Sequence, residues 1–221
     1  MRILVTLGPS CEPLDAVRRL TNFSTGKLGT ELANYLTDAG HEVTALRGHY
    51  STWRGELRAV DIKEFATSAD LLALLQGSPC FDAVFHAAAV SDFAFGSVFE
   101  KRDDGVLTPV FSGKYSTRAG TLLAELVPTP KIIARMRSLF PGAKLIGWKY
   151  EVDGARAAAV EAARHQILEN HTDGCVVNGP AYGAGYGLVV KSERIGHCQT
   201  GPELFQALDY LLQPDSDPGT A

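Results

Sequence analysis

The sequence predicts an α/β fold, a doubly wound and mostly parallel Rossmann-like sheet with an extended flap and arm excursion. Three observations indicate this class. An apolar strand, Arg2–Leu7, begins almost at the first residue and leads through a turn-rich loop into an amphipathic helix. Strands and helices then alternate along most of the chain, as they do in parallel α/β sheets. The alternation stops only over residues 93–130, where we expect an extended excursion from the sheet.

The elements of the first half follow from hydrophobic spacing and from glycine and proline breaks. Apolar residues at helical spacing before Gly40 predict the first helix, and the apolar run after this glycine predicts the strand that completes a β-α-β unit. In order, the expected elements are a helix over Leu28–Ala39, strands over His41–Leu46 and Leu57–Ile62, a helix capped by Ser68, and a strand over Asp82–Ala87.

The second half contains the excursion and then a return to alternation. Segments longer than about fifteen residues without regular structure are usually functional or disordered. The expected elements are short strands at Val106–Phe111 and Thr121–Leu126, a helix at Lys131–Leu139, a strand at Ala143–Trp148, a helix at Ala155–Glu169, a strand at Thr172–Asn178, a hairpin at Leu188–Ile195 and a helix at Glu203–Leu212. We expect one domain over residues 1–212 and a disordered tail over residues 213–221.

Composition and charge argue against several kinds of function. A formal net charge of −4 argues against nucleic acid as a main partner. No apolar run approaches the roughly 18 residues of a membrane span, and no signal-peptide pattern precedes the first strand, so we expect a cytoplasmic protein without a membrane partner. The four cysteines show neither C-x-x-C spacing nor a histidine cluster, which argues against zinc, and we assign no metal ligand.

The loop after the first strand contains a candidate anion site. Ser24, Thr25 and Gly26 place small side chains and hydroxyls just before a helix, where free N–H groups and the helix dipole attract negative charge. Lys27 adds a positive charge there. A simple helix cap explains the same residues. The glycine patterns of dinucleotide-binding loops and of P-loops are absent, because Gly8 precedes a proline and Lys27 precedes a leucine.

The strand Asp82–Ala87 ends in a second phrase, Ala87-Ala88-Ala89-Val90-Ser91-Asp92. Small side chains at the carboxyl end of a strand let a planar ligand approach closely, and the serine and the aspartate of this phrase offer polar contacts. Simple packing explains the alanines equally well.

Together these phrases resemble those of phosphopantothenoylcysteine synthetase (phosphopantothenate–cysteine ligase), in its stand-alone form. The family pattern matches Thr21–Gly29 and Glu12–Asp15, whereas Pro9 and Cys11 depart from it. The resemblance implies a ligase that joins 4′-phosphopantothenate to L-cysteine through an acyl-nucleotidylate in coenzyme A biosynthesis. It also implies ATP or CTP as cosubstrate, Mg²⁺ as cofactor, and a homodimer in which an extended arm contacts the other subunit.

The resemblance also assigns roles to single residues. Asn22 is expected to stabilise the acyl-nucleotidylate, and Lys114, in a flap over the active site, is expected to neutralise developing charge. The expected nucleotide-binding residues are Gly8, Ser10, Ala88, Ala89, Asp92 and Trp148. The expected phosphate- and substrate-binding residues are Ser24, Thr25, Gly26, Lys27 and Asn178. Where many family members have triphosphate-binding lysines on the helix before Asn178, this sequence is expected to have Gln166 and Asn170.

Two alternatives stay open. An NAD(P)-dependent oxidoreductase of the Rossmann type fits the first strand and the alanines of the second phrase, but the glycine fingerprint and a Tyr-x-x-x-Lys pair in the usual place are missing. A synthetase-like protein that acts on another acid, or only binds ligand, fits the departures at Pro9, Cys11, Gln166 and Asn170.

Overall fold

Helices lie on both faces of an eight-stranded sheet in the computed structural model, which describes residues 1–116, 120–192 and 195–213. In chain order the elements are β1 Arg2–Leu7, β2 Cys11–Pro13, β3 Arg19–Thr21, α1 Lys27–Asp38, β4 Glu42–Gly48, β5 Asp61–Phe65, α2 Ser68–Gln76, β6 Ala83–His86, β7 Phe93–Lys101, β8 Leu107–Pro109, β9 Thr121–Pro128, α3 Ile133–Leu139, β10 Lys144–Tyr150, α4 Arg156–Asn170, β11 Gly174–Asn178, β12 Tyr186–Val190, β13 Ile195–Cys198 and α5 Gly201–Tyr210.

The central sheet has the strand order β13-β12-β11-β10-β6-β1-β4-β5. All neighbours from β11 to β5 are parallel, whereas β12 and β13 each pair antiparallel with the strand before them. The chain leaves β1 toward β4 and β5 on one side and then returns to β6, β10 and β11 on the other. This reversal confirms the predicted doubly wound, mostly parallel class, and it puts a topological switch point between β1 and β6.

The middle of the sheet is buried on both faces, which is why its strands are continuous apolar runs. In β1, Ile3 and Val5 belong to the apolar layer of α1 and α5, whereas Leu4 belongs to that of α2 and α3. None of these three side chains has exposed surface. On β11 and β12, Ala163 of α4 packs in a third layer with Val177. The layers cover the faces of the sheet, so only its edges are left for a ligand.

The excursion folds into a separate antiparallel sheet of order β8-β7-β9. The sequence predicted β8 and β9 approximately, but it missed β7. Gly96 and Ser97 interrupt the apolar pattern of β7 where its register with β9 shifts, between Phe95 and Val98. An irregularity of this kind breaks the period of two that would otherwise have indicated a strand.

The base of the excursion closes at the second phrase of the sequence. Thr129 donates its N–H to the Asp92 carbonyl at 3.0 Å, and its hydroxyl donates to the Ser91 carbonyl at 2.6 Å. The excursion therefore leaves the central sheet and returns to it next to the same residues.

The strand β5 lies at Asp61–Phe65, so the prediction of a strand over Leu57–Ile62 was shifted toward the N-terminus. The Asn34 side chain explains the difference, because it donates to the Glu56 carbonyl at 2.8 Å and accepts the Arg58 N–H at 2.8 Å. These bonds tie the residues before the strand to α1 instead of to the sheet.

The prediction of Ser68 as a helix cap was wrong by one residue. Thr67 caps α2, since its hydroxyl accepts the Asp70 N–H at 3.0 Å and the Asp70 carboxylate accepts the Thr67 N–H at 2.9 Å. Ser68 is buried instead. The terminal helix begins two residues earlier and ends two residues earlier than predicted. The predicted disorder of the tail falls, from residue 214 onward, outside the described residues.

Replacing Gly29 should destabilise the contact between α1 and β1. A Cβ at this position would lie 2.4 Å from the Leu7 Cβ. We expect Gly29→Ala to lower the free energy of unfolding by about 1–3 kcal/mol in urea titrations, because overpacking outweighs the better helix propensity of alanine. Gly142→Ala is the control, since nothing lies within 4 Å of its Cβ. Equal stabilities of the two variants would contradict this close approach.

Candidate active site

The candidate site lies along the edge of the sheet where the parallel strands have their carboxyl ends. Gly8 follows β1, Ala89 follows β6 in the neighbouring loop, and Asn178 ends β11. In open α/β sheets, ligands bind at this edge beside the switch point. The first and second phrases of the sequence therefore meet where the topology predicts a ligand.

Hydrogen bonds to the Ala89 peptide join the two phrases. The Ala89 N–H donates to the Gly8 carbonyl at 2.9 Å, and the Ala89 carbonyl accepts the Ser10 N–H at 3.1 Å. The Asn22 side-chain amide donates to the same carbonyl at 2.6 Å, while its oxygen accepts the Ser24 N–H at 3.1 Å. The structure thus brings five of the predicted site residues together.

A short hairpin, β2 paired with β3, positions Asn22 directly after its second strand. Thr21 donates its hydroxyl to the Ser10 carbonyl at 2.9 Å, which ties the end of the hairpin to its start. Cys11 is buried and donates its N–H to the Ala66 carbonyl at 2.8 Å. Burial raises the pKa of the Cys11 thiol, so it stays protonated and is a poor nucleophile.

Ser10 supports the second phrase from inside the protein. It is buried, and its hydroxyl accepts the Ser91 N–H at 2.8 Å. Ser68 lies 3.5 Å from this hydroxyl and donates to the buried Glu12 carboxylate through both its hydroxyl (2.6 Å) and its N–H (2.9 Å). Sequence analysis missed this pairing of Glu12 with Ser68. The sequence feature that could have indicated it is Glu12 itself, an acidic residue in the loop after β1.

A buried pair, Thr6 and His86, supports the residues before Ala89. The Thr6 hydroxyl accepts the Ala88 N–H at 3.3 Å and forms a 2.7 Å hydrogen bond with His86 Nδ1. Burial disfavours the charged imidazole and lowers the pKa of His86 to about 4. Sequence analysis missed this pair, because the two residues are 80 positions apart and meet only through strand register.

The start of α1 differs from a simple side-chain cap. Gly26 is the N-cap residue, with φ of 81° and no side-chain cap bond. Thr25 accepts the Lys27 N–H at 3.2 Å with its hydroxyl. The Lys27 ammonium lies 4.9 Å from the ring centroid of Trp53 and 3.7 Å from a Glu31 carboxylate oxygen. Gly26 is buried against Ser51, whose Oγ would lie 2.9 Å from a Cβ at position 26, and the lysine charge is already engaged by neighbours.

Asn178 lines an open cavity of about 450 Å³ together with Tyr150, Gly179, Tyr186 and Thr200. Its main-chain carbonyl accepts the Glu151 N–H at 2.9 Å, and no described hydrogen bond uses its side chain. The cavity is large enough for part of a nucleotide-sized ligand, and its position extends the candidate site across β10 and β11.

Trp148 lies on β10 and packs, partly buried, against the apolar layer of α1 and α5. Its indole Nε1 is buried and has no hydrogen-bond partner among the described residues. An unpaired buried donor costs free energy, so this N–H is available to a ligand or a water.

Lys114 is exposed and lies in the flap. Its described bonds are made by the main chain: its N–H donates to the Ser112 hydroxyl at 3.2 Å and its carbonyl accepts that hydroxyl at 2.8 Å. The Gly113 carbonyl accepts the Ala16 N–H at 3.0 Å. The structure therefore places the flap against the loop of the β2–β3 hairpin, and it shows no side-chain bond between Lys114 and Asn22 among the described residues.

Gln166 and Asn170 lie toward the end of α4, and the expectation that they replace triphosphate-binding lysines stays a prediction. Both are buried, and Asn170 donates its side-chain amide to the Gln166 carbonyl at 2.9 Å. Because α4 runs from the carboxyl edge of the sheet back to the opposite edge, its last turns lie far from the candidate site. Arg156, at the start of α4, is on the correct edge, where it donates to the Tyr182 hydroxyl at 2.7 Å.

The described residues contain no group of three or more histidine, cysteine, aspartate or glutamate side chains that is arranged to hold a metal ion. Within the same part of the chain, no helix has the length and apolar character needed to cross a bilayer.

The fold and the joined loops define a doubly wound α/β protein with a candidate ligand site at its switch point. The chain belongs to the family described as the DNA/pantothenate metabolism flavoprotein C-terminal domain, which it matches over residues 1–196.

The chain is also similar in sequence and in structure to known proteins. The coenzyme A biosynthesis bifunctional protein CoaBC of Thermococcus kodakarensis is 34% identical over 177 residues, which cover 80% of this chain and 41% of that protein. The crystal structure of the DNA/pantothenate metabolism flavoprotein from Streptococcus pneumoniae has a TM-score of 0.82 at 26% identity and covers 96% of this chain and 98% of that one. A Cab2 variant in complex with phosphopantothenate-cysteine shares the fold, with a TM-score of 0.66 at 14% identity over 96% of this chain and 87% of that one. The chain spans less than half of the length of the CoaBC relative.

Stability should depend on pH through His86. Its pKa is about 4 in the folded protein and near the ordinary 6.5 in the unfolded chain, so the unfolded chain binds more protons between these values. The free energy of unfolding should therefore fall by about 3 kcal/mol from this group as the pH falls from 6.5 to 4. Urea titrations across this range should show a smaller fall for His86→Asn.

The matched control is His165→Asn, because the His165 side chain is 76% exposed. This variant should keep the pH dependence of the wild type. The same dependence in His86→Asn would mean that His86 titrates normally in the folded protein.

Proposed function

We propose that this protein is a phosphopantothenate–cysteine ligase of coenzyme A biosynthesis. The observation that supports it best is the Asn22 amide, bonded to the Ala89 carbonyl at the switch point. This junction unites the two phrases that resemble the ligase family, in a chain that belongs to the family of the CoaBC C-terminal half. The Thermococcus relative is itself a coenzyme A biosynthesis protein, and a structural neighbour binds phosphopantothenate-cysteine.

The proposed reaction has two steps. A free carboxylate is a poor electrophile toward an amine, so the carboxylate of 4′-phosphopantothenate first attacks the α-phosphorus of ATP or CTP and releases pyrophosphate. The cysteine amino group then attacks the acyl-nucleotidylate, forms the amide and releases the nucleoside monophosphate. Both steps develop negative charge on oxygen, which fixed hydrogen-bond donors stabilise.

The roles that we propose for single residues are those that the family resemblance implies, and their positions support them. Asn22 orients the acyl-nucleotidylate through its amide, and Lys114 neutralises charge when the flap lies over the site. Residues of the α1 start, Ser24, Thr25, Gly26 and Lys27, hold phosphate. The nucleotide lies against Gly8, Ala88, Ala89 and Asp92, with Trp148 and Asn178 farther along the edge. For Ser10 we infer a supporting role, through its bond to the Ser91 N–H.

Magnesium fits this site as an ion that arrives with the triphosphate. Mg²⁺ is usually held by substrate phosphates, waters and one or two carboxylates rather than by a cage of protein ligands. Asp92 is exposed at the carboxyl edge and offers such a carboxylate. The bound ion would neutralise part of the charge on the triphosphate.

A synthetase-like protein that acts on another acid is the remaining rival. The observation in its favour is the Lys27 ammonium, which lies between Trp53 and Glu31 instead of pointing freely to the helix start.

The test of the proposed function measures pyrophosphate release by the purified protein with Mg²⁺, 4′-phosphopantothenate and either ATP or CTP, with and without cysteine. Pyrophosphate release that needs both the acid and cysteine supports the ligase and identifies its nucleotide. No release with either nucleotide contradicts the ligase. NAD(P) titration in parallel tests the oxidoreductase.

Asn22→Asp should lower kcat by about 10²-fold, because it removes the amide donor and adds a negative charge beside the developing one. The measurement is the initial rate of pyrophosphate release at saturating substrates. Asn34→Asp is a matched control, since Asn34 also donates to a carbonyl and accepts an N–H, but on the outer side of α1. Its kcat should equal that of the wild type. Equal rates in the two variants would exclude a catalytic role for the Asn22 amide.

We also propose a homodimer that forms through the excursion. Among the described residues of β7 and β9, Phe93, Leu123, Leu126 and Val127 expose between 40% and 53% of their surfaces. Leu126 and Phe93 share one face of this small sheet, because Phe93 pairs with Pro128. Exposed apolar side chains on a sheet face are typical of an interface. A cytoplasmic location is part of the same proposal, and the four unpaired cysteines agree with it.

Leu126→Lys should shift the dimer toward the monomer, because it puts a charge into the apolar interface. Sedimentation velocity at several protein concentrations measures the shift. Leu168→Lys on α4, where the leucine is 71% exposed, is the control and should leave the dimer intact. A monomeric wild type, or a Leu126→Lys variant that dimerises like the wild type, would contradict this interface.

A further inference from the structure

The hairpin loop between β2 and β3 binds the main chain next to Lys114 through the Asp15 carboxylate. Asp15 Oδ1 accepts the N–H groups of Val17 at 2.9 Å and Arg18 at 2.7 Å, which closes the loop on itself. Asp15 Oδ2 points the other way and accepts the Tyr115 N–H at 3.2 Å. The two oxygens therefore have separate tasks, one within the loop and one toward the flap.

Two more hydrogen bonds hold the flap on this loop. The Ala16 N–H donates to the Gly113 carbonyl at 3.0 Å. The Arg18 guanidinium donates to the Tyr115 carbonyl at 2.5 Å and lies 3.4 Å from Asp15 Oδ2. The residues immediately before and after Lys114 are thus both fixed by main-chain bonds, while the lysine side chain stays exposed.

The charge of Asp15 is maintained although its side chain has no exposed surface. Burial opposes ionisation, but the hydrogen bonds from the N–H groups of Val17, Tyr115 and Arg18 lower the pKa of the Asp15 carboxyl below its ordinary value. An ionised carboxylate accepts at both oxygens, so the bond to the flap persists at neutral pH.

We propose that Asp15 is a positioning residue, which fixes the main chain at Tyr115 and so directs the Lys114 ammonium toward the reacting groups beside Asn22. The bond on the other side of the lysine comes from Ala16, in the loop that Asp15 closes. This inference rests on the proposed function. Asn22 follows the second strand of the same hairpin, so one element orients both groups. Small displacements of a catalytic group lower the rate of the chemical step strongly, so a residue that fixes the position of Lys114 raises this rate.

Asp15→Asn separates the two tasks of the carboxylate. The amide oxygen still accepts the loop N–H groups, but the amide nitrogen replaces the acceptor of the Tyr115 N–H and ends the ion pair with Arg18, which also holds Tyr115. We expect kcat for pyrophosphate release to fall about tenfold or more. The KM for the nucleotide should stay within about twofold, because the phosphate-binding residues are unchanged. Hydrogen exchange of peptides that contain Tyr115 should become about tenfold faster.

A matched carboxylate gives the control. Asp104 also accepts an N–H two residues later, from Val106 at 2.9 Å, in the turn between β7 and β8. Asp104→Asn should therefore keep the kcat, the KM and the exchange rate of the wild type.

A double variant tests whether Asp15 acts through Lys114. If it does, Lys114→Ala combined with Asp15→Asn loses no more activity than Lys114→Ala alone. Multiplied losses, an unchanged kcat in Asp15→Asn, or unchanged exchange near Tyr115 would each overturn the proposal. If the proposed function is wrong, the wild type releases no pyrophosphate. Hydrogen exchange of peptides that contain Tyr115, compared between the wild type and Asp15→Asn, then still shows whether Asp15 anchors the flap.

Discussion

The peptide of Ala89 is the junction on which the candidate site depends. Its N–H donates to the Gly8 carbonyl, and its carbonyl accepts from the Ser10 N–H and the Asn22 amide. Peptide groups withdrawn from water cost free energy when they are unpaired, so these bonds strongly constrain the chain. All three partners come from the segment between β1 and α1. The loop after β6 therefore takes its position from that segment, and the switch point becomes a fixed cleft.

Two buried polar groups, the Thr6–His86 pair and Ser10, support this junction from within the protein. The Thr6 hydroxyl links the His86 ring to the Ala88 N–H, and the Ser10 hydroxyl supports the Ser91 N–H. Loss of one partner leaves the other buried and unpaired, which costs about 1–3 kcal/mol. A substitution in this polar layer is therefore expected to move the loop and to lower stability together, so activity alone would not distinguish such residues from those that contact substrate.

Sequence reasoning succeeded where burial imposes a pattern. Strands such as β1 and β6 are buried on both faces, so their apolar runs were located within one or two residues. It failed at β2 and β3, which have three residues each and are too short for a period, and at β7, where the pattern is interrupted. In the site, the family pattern selected Gly8, Asn22 and Ala89, which the fold brings together. The direction of α4 in a β-α-β unit puts Gln166, in its last turns, toward the opposite edge, which the residue pattern alone does not indicate.

The hairpin of β2 and β3 explains how a short loop segment can organise a reaction with two charge-stabilising groups. Its return strand leads into Asn22, and its tip holds the flap that contains Lys114. On the proposed function, both groups face negative charge that develops during acyl transfer, and stabilisation is greatest when donors need no rearrangement. A single hairpin fixes their separation better than two independent loops would. The departures at Pro9 and Cys11 lie at the base of this hairpin, where Cys11 bonds to the Ala66 carbonyl.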